Sequence, residues 1–114
     1  MAIWWGTPLE VQSAFHRLRR ERFLSQAELA IALKRLSFIS DAALEVSPSE
    51  SVRDLAASLL AEHDLRAADG LQLAAALVLC REHPRNRAFI CFDAKLADAA
   101  NAAGFSVLPA TLTP

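Results

Sequence analysis

Asp69 stands near the start of the most apolar stretch of this 114-residue chain, Leu-Arg-Ala-Ala-Asp-Gly-Leu-Gln-Leu-Ala-Ala-Ala-Leu from Leu65 to Leu77. Asp is a poor helix-interior residue, and Gly70 beside it costs about 1 kcal/mol relative to Ala. A local rule broken without structural gain marks a place where function is expected. Gly70 also lets another chain or a ligand approach the backbone closely. The competing reading is structural: Asp69 stabilises a first helical turn through the macrodipole. Asp93 follows the apolar run Ala-Phe-Ile-Cys-Phe, Ala88 to Phe92. In open α/β sheets ligands bind beyond the carboxyl ends of strands, although Asp93 also suits the N-cap of a following helix. Glu10 is ambiguous in the same way. Three such carboxylates converging at one sheet end would repel one another. A hard divalent cation, Mg²⁺ or Mn²⁺, removes that penalty because it takes oxygen ligands, and such a site can activate water and clamp a phosphate.

The elements that must position these residues are legible from capping and periodicity. Ala2 to Trp5 reads as a short buried strand closed by Gly6. Thr7-Pro8-Leu9-Glu10 reads as a capping box with Pro at the first helical position, opening a helix to about Arg22. Ser25-Gln26-Ala27-Glu28 opens a second helix, with Leu29, Leu33 and Leu36 on one stripe, ending between Ser37 and Ser40. Ala43 to Val46 reads as a strand, and Ser47-Pro48-Ser49-Glu50 as a third capping box, for a helix through about Glu62. A long helix follows from Leu65 to about Glu82. His83 to Asn86 is a loop. Ala88 to Phe92 has the composition of a strand covered on both faces. Asp93 caps a helix over Ala94 to Ala103, Gly104 sits where a C-cap belongs, and Phe105 to Leu108 is the last strand. Strands alternating with helices predict an α/β protein with a short parallel sheet.

Composition narrows the class further. The chain has 23 Ala and 18 Leu, which favours helix. Its length fits a single domain spanning residues 1–114. A 54% hydrophobic and 22% charged composition excludes a disordered chain. A net charge of −1 excludes a generally basic nucleic-acid coat, so nucleic-acid contacts would need a local patch. Ten of the twelve basic residues are Arg, clustered at Arg17, Arg19, Arg20 and Arg22 and again at Arg81, Arg85 and Arg87. Arg forks bind phosphate; equally, positive charge complements a helix C-terminus. The longest apolar run, Leu73 to Cys80, falls well short of the about 20 residues a membrane span needs. Cys80 and Cys91 lack zinc or redox spacing and read as small buried thiols. With neither an export signal nor a disulfide framework, the cytoplasm is the expected compartment.

Three blocks together resemble the PIN domain, in particular the VapC-type toxin nucleases of bacterial toxin–antitoxin pairs. They are Ile3-Trp4-Trp5-Gly6-Thr7-Pro8-Leu9-Glu10-Val11, then Leu65 to Ala74 around Asp69, then Phe89-Ile90-Cys91-Phe92-Asp93-Ala94-Lys95-Leu96. The resemblance runs from about Ala2 to Leu108. It implies a PIN-like three-layer α/β/α sandwich and a metal-dependent ribonuclease. Asp69, Asp93 and Glu10 would be the catalytic, Mg²⁺- or Mn²⁺-binding residues, and Arg17 and Arg20 would hold the RNA backbone. It also implies a small cognate antitoxin protein as partner and a homodimer formed through apolar helices, with Ser25 to Ser40 and Pro48 to Glu62 as the candidate faces. The family usually opens with a further strand bearing an Asp. Nothing before Ile3 matches it, so the resemblance implies a PIN-like domain lacking its first strand, with activity impaired accordingly. Two finer departures are Cys91, where the family usually has a hydroxyl residue, and Gly70, where it commonly has Ala. The alternative is a non-catalytic PIN remnant serving as a protein-binding or dimerisation module. A third reading, a structural α/β domain in which the three carboxylates are only caps, is permitted by the residues taken singly.

Overall fold

The structure, a computed structural model, describes residues 1–109. It is a helix-rich α/β arrangement in the order β1 (Ala2–Trp4), α1 (Thr7–Arg20), α2 (Gln26–Ala42), β2 (Leu44–Val46), α3 (Glu50–Glu62), α4 (Ala67–Leu79), β3 (Ala88–Ile90), α5 (Ala94–Ala103) and β4 (Ser106–Leu108). The chain divides into two units, Met1–Val46 and Ser47–Pro114. Each holds one parallel two-stranded sheet, β1–β2 in the first and β3–β4 in the second. The parallel pairing follows from the helical crossover that joins each strand to its partner.

In the first unit β1 pairs with β2 in the register Ala2 to Leu44 and Trp4 to Val46, and the Trp5 N–H extends the ladder to the Val46 carbonyl at 3.0 Å. Helix α1 packs on α2 through the half-buried Val11, Ala14, Phe15 and Leu18. The expected cap at Thr7 is displaced. The helix already begins at Thr7, with Gly6 as N-cap and no side-chain cap bond. Gly6 takes the cap position, its carbonyl accepting the Glu10 N–H at 3.2 Å. The Ser25 box forms as expected: the Ser25 Oγ accepts the Glu28 N–H at 3.1 Å, and the Glu28 carboxylate accepts the Ser25 N–H at 2.9 Å.

In the second unit the third cap also moves. Ser49, not Ser47, accepts the Val52 N–H, at 3.2 Å, and Glu50 therefore opens the helix instead of closing a box. Helix α3 buries Val52, Ala56 and Leu59 and packs against α4, which buries Gly70, Leu73, Ala74, Ala75 and Leu77. The apolar stripe of the 50–62 helix is thus used within the unit. A Cβ on Gly70 would lie 3.1 Å from Leu60 Cδ2, so the glycine marks close helix–helix approach. Helix α4 is shorter than expected, starting at Ala67 after an Arg66 N-cap.

Strand β3 corrects one expectation. Its composition predicted burial on both faces, but burial alternates. Phe89 packs on the buried Phe105 with ring centroids 5.5 Å apart, and Cys91 is buried, while Ile90 is 65% and Phe92 80% exposed. A two-stranded sheet here has only its Phe89 face covered.

Three helices end in the same hydrogen-bonded motif. The Phe23 N–H reaches the Leu18 carbonyl at 2.9 Å, Glu82 reaches Leu77 at 2.7 Å, and Phe105 reaches Ala100 at 3.0 Å. Each motif needs a left-handed residue just before its donor. Gly104 supplies it as expected for α5, with φ of 111°. Arg22 (φ 65°) and Arg81 (φ 53°) supply it for α1 and α4, at the strain a Cβ brings to that region. Replacing either Arg22 or Arg81 by Gly is expected to raise stability by up to about 1 kcal/mol, the relieved strain exceeding the added unfolded-chain entropy. Gly104→Ala is expected to lower it by about 1 kcal/mol or more, since its Cβ would also meet Pro84 Cγ at 3.0 Å. Thermal unfolding of the three variants checks both signs.

Candidate functional site

Asp69 is the third residue of α4, in the first turn, and Asp93, three residues beyond the last residue of β3, is the N-cap of α5. Both line one cleft of about 370 Å³ in the second unit, together with Asp64, Leu65, Arg66 and Lys95. Two different sequence rules bring them there. A parallel strand delivers the chain to its carboxyl end, where Asp93 caps the next helix. The N-terminus of α4 opens at the same place and favours negative charge. The structural roles expected of each carboxylate are therefore real: Asp93 Oδ1 accepts the Leu96 N–H at 2.8 Å, and Asp69 lies in a helical first turn.

Those roles do not exhaust Asp69. Its pKa is raised, first by partial burial, then by the negative charge of Asp93, with Arg66 opposing both. A carboxylate at a helix N-terminus would ordinarily be favoured in its charged form; here desolvation and a second carboxylate outweigh that. The cleft therefore holds negative charge under tension, with Arg66 as a partial counter-ion. On its rim Lys95 Nζ pairs with Asp64 Oδ2 at 2.7 Å, and this pairing lowers the Asp64 pKa and raises that of Lys95. Both groups are exposed, so the pair contributes little to stability.

The Cys91 thiol lies two residues before Asp93 and within the electrostatic reach of both acids. It is buried and donates to the Asp93 carbonyl at 3.8 Å. Burial raises its pKa, the charges of Asp93 and Asp69 raise it further, and the contact with the Asp93 backbone opposes them. A thiol so placed is held protonated and is a poor nucleophile.

Glu10 belongs to the first unit, as a half-buried residue in the first turn of α1. Arg17 and Arg20 are exposed in the last turn of the same helix, where their charge complements the helix end. Arg19, the next basic residue, donates from Nε to Gln26 Oε1 at 3.2 Å. Among the described residues no three His, Cys, Asp or Glu side chains group closely enough to hold a metal ion. Asp69 and Asp93 alone remain a suitable donor set for Mg²⁺, which is commonly held by one or two carboxylates with water and substrate phosphate completing its shell. Sequence reasoning passed over Asp64, Arg66 and Lys95. Their signal was positional: Arg66 stands three residues before Asp69, and Lys95 two after Asp93, each at a helix N-terminus where a cation is otherwise unfavourable.

A second concavity lies within the first unit, a groove of about 470 Å³ between α1 and α2 lined by Val11, Phe15, Leu24, Ile31, Leu36 and Ile39 among others. No helix among the described residues is long and apolar enough to cross a membrane. No protein-family model matches the chain, and neither does any curated protein or solved structure.

Two outcomes are expected of this electrostatic arrangement. Because the Asp69 pKa is higher in the folded chain, its favourable contribution is present at low pH and is lost as pH rises through the folded value. Asp69→Asn should therefore match or exceed wild-type thermal stability at pH 7, and the advantage should shrink on acidification toward pH 4. Separately, Cys91 should be alkylated by iodoacetamide at pH 8 at least about tenfold more slowly than an exposed thiol, read by mass spectrometry of the native protein.

Proposed function

We propose that this chain is a metal-dependent ribonuclease of the PIN, VapC-like toxin type. The observation that supports it most is the meeting of Asp69 and Asp93 in one cleft at the carboxyl end of β3, with the Asp69 pKa raised by burial and by Asp93. A cleft that costs the fold electrostatically is a functional-site candidate. Its acids suit a hard divalent cation, Mg²⁺ or Mn²⁺. In this reading the fold is the three-layer α/β/α sandwich of the family, Asp69 and Asp93 hold the cation, and Glu10 keeps the ligand role that the resemblance assigns to it. When bound, the cation supplies an acidified water and neutralises charge on the departing oxygen. Arg66, on the cleft wall, and Arg17 and Arg20 on α1 are suited to RNA phosphates. A small antitoxin protein, a homodimer and a cytoplasmic setting belong to the same reading.

A second reading, a non-catalytic protein-binding module, is favoured by the apolar α1–α2 groove. Cleavage separates the two. The purified full chain, given single-stranded RNA and Mg²⁺ or Mn²⁺, should yield EDTA-sensitive cleavage that falls at least about tenfold in Asp69→Asn and in Asp93→Asn. Equal cleavage by wild type and both variants would remove the assigned site. A folded wild type that cleaves nothing with either metal would favour the binding module.

A further inference from the structure

The outer edge of β3 pairs with no strand among the described residues. Strand β4 occupies one edge: the Ser106 N–H donates to the Arg87 carbonyl at 2.9 Å, and the Cys91 N–H to the Leu108 carbonyl at 3.1 Å. Backbone groups alternate between the two edges of a strand, so those of Ala88 and Ile90 point to the opposite edge, and the ladder bond at Cys91 carries the same alternation toward Phe92. The same three side chains form the exposed face, with Ile90 65% and Phe92 80% exposed. An exposed apolar edge strand is a template for pairing, and a two-stranded sheet is marginal by itself.

We propose that this edge pairs antiparallel with the same edge of a second copy of the chain, giving a continuous four-stranded sheet with its two-fold axis at Ile90. Charge complementarity selects the occupant. An antiparallel alignment centred on Ile90 sets Ile90 against Ile90, Ala88 against Phe92 and Phe89 against Cys91, so every apolar residue of the run meets an apolar one. Its flanking residues are Arg87 at one end and Asp93 at the other, both exposed. That register places each Arg87 opposite an Asp93, twice over by symmetry. The parity is also right: Ala88, Ile90 and Phe92 all present backbone donors and acceptors to the shared edge, so Ile90–Ile90 and Ala88–Phe92 become hydrogen-bonded pairs. Such an interface is isologous and closes on itself. It uses neither the α1–α2 groove nor the buried stripe of α3, and so differs from a dimer through apolar helices. It stands without the ribonuclease reading. Because it engages Asp93, a divalent cation at the cleft competes with it, and it is best measured in EDTA.

Sedimentation equilibrium of the full chain in EDTA, from micromolar to about millimolar, tests the proposal. Wild type is expected to dimerise with concentration. Ile90→Lys, which sets two like charges against each other at the axis, and Arg87→Glu, which faces Asp93, should each weaken the dimer about tenfold or more. Both positions are exposed, so thermal unfolding at concentrations where wild type is monomeric should stay close to wild type. Register is read by disulfide capture on a Cys91→Ala background. Ile90→Cys should cross-link to its own copy, since opposed Cα atoms in a hydrogen-bonded pair lie about 5.5 Å apart. Ala88→Cys should not, because its copy lies about 13 Å away along the strands. A chain monomeric throughout, a dimer indifferent to both charge variants, or equal capture by Ala88→Cys and Ile90→Cys would each overturn it.

Discussion

The close approach of α3 to α4 at Gly70 is the constraint on which the second unit depends. With a hydrogen for a side chain, α4 can lie against Leu60 and Ala56 of α3 and bury Leu73, Ala74, Ala75 and Leu77. That packing fixes the position of the α4 N-terminus, and with it Asp69, one residue before the glycine. The helix does not hold itself there by capping, since Arg66 makes no side-chain cap bond. Tertiary burial does the positioning, as is usual for short helices in proteins.

The electrostatics of the cleft follow from that placement. Burial and Asp93 work against ionisation of Asp69, and the helix dipole and Arg66 work for it. Desolvation dominates because a partly buried carboxylate loses hydration that one exposed guanidinium does not replace. Burial, and then the charges of Asp93 and Asp69, likewise hold the Cys91 thiol protonated. An arrangement that places two acids in one cleft beside a protonated thiol gains nothing structurally from their proximity, although each acid separately stabilises a helix start.

The first unit is built differently. Its strand pair and its α1–α2 packing leave most apolar side chains half exposed; Leu29 is its only buried residue among those described. The chain turns between α1 and α2 on Arg22, a left-handed residue that bears a Cβ, and α4 ends on Arg81 in the same way. These two positions and Gly104 show one hydrogen-bond pattern reached with different residues, which is why glycine counting alone locates only one of the three helix ends.

Patterning by itself determined the alternation of strands and helices, the Ser25 box, the Asp93 cap and the Gly104 stop, because these depend on neighbours within four residues. It also pointed to Asp69 and Asp93, each for a local reason, one as a misfit before glycine and one as a strand end. Tertiary structure alone decided the rest. It moved the caps from Thr7 to Gly6 and from Ser47 to Ser49, where competing local geometries differ by little and the surrounding chain chooses. It left Ile90 and Phe92 uncovered, because composition records that a strand is apolar but not how many layers pack against it. And it put Asp69, Asp93, Arg66 and Lys95 around one cleft, because the distance between residues far apart in sequence is set by helix packing, of which the lone visible trace is a glycine.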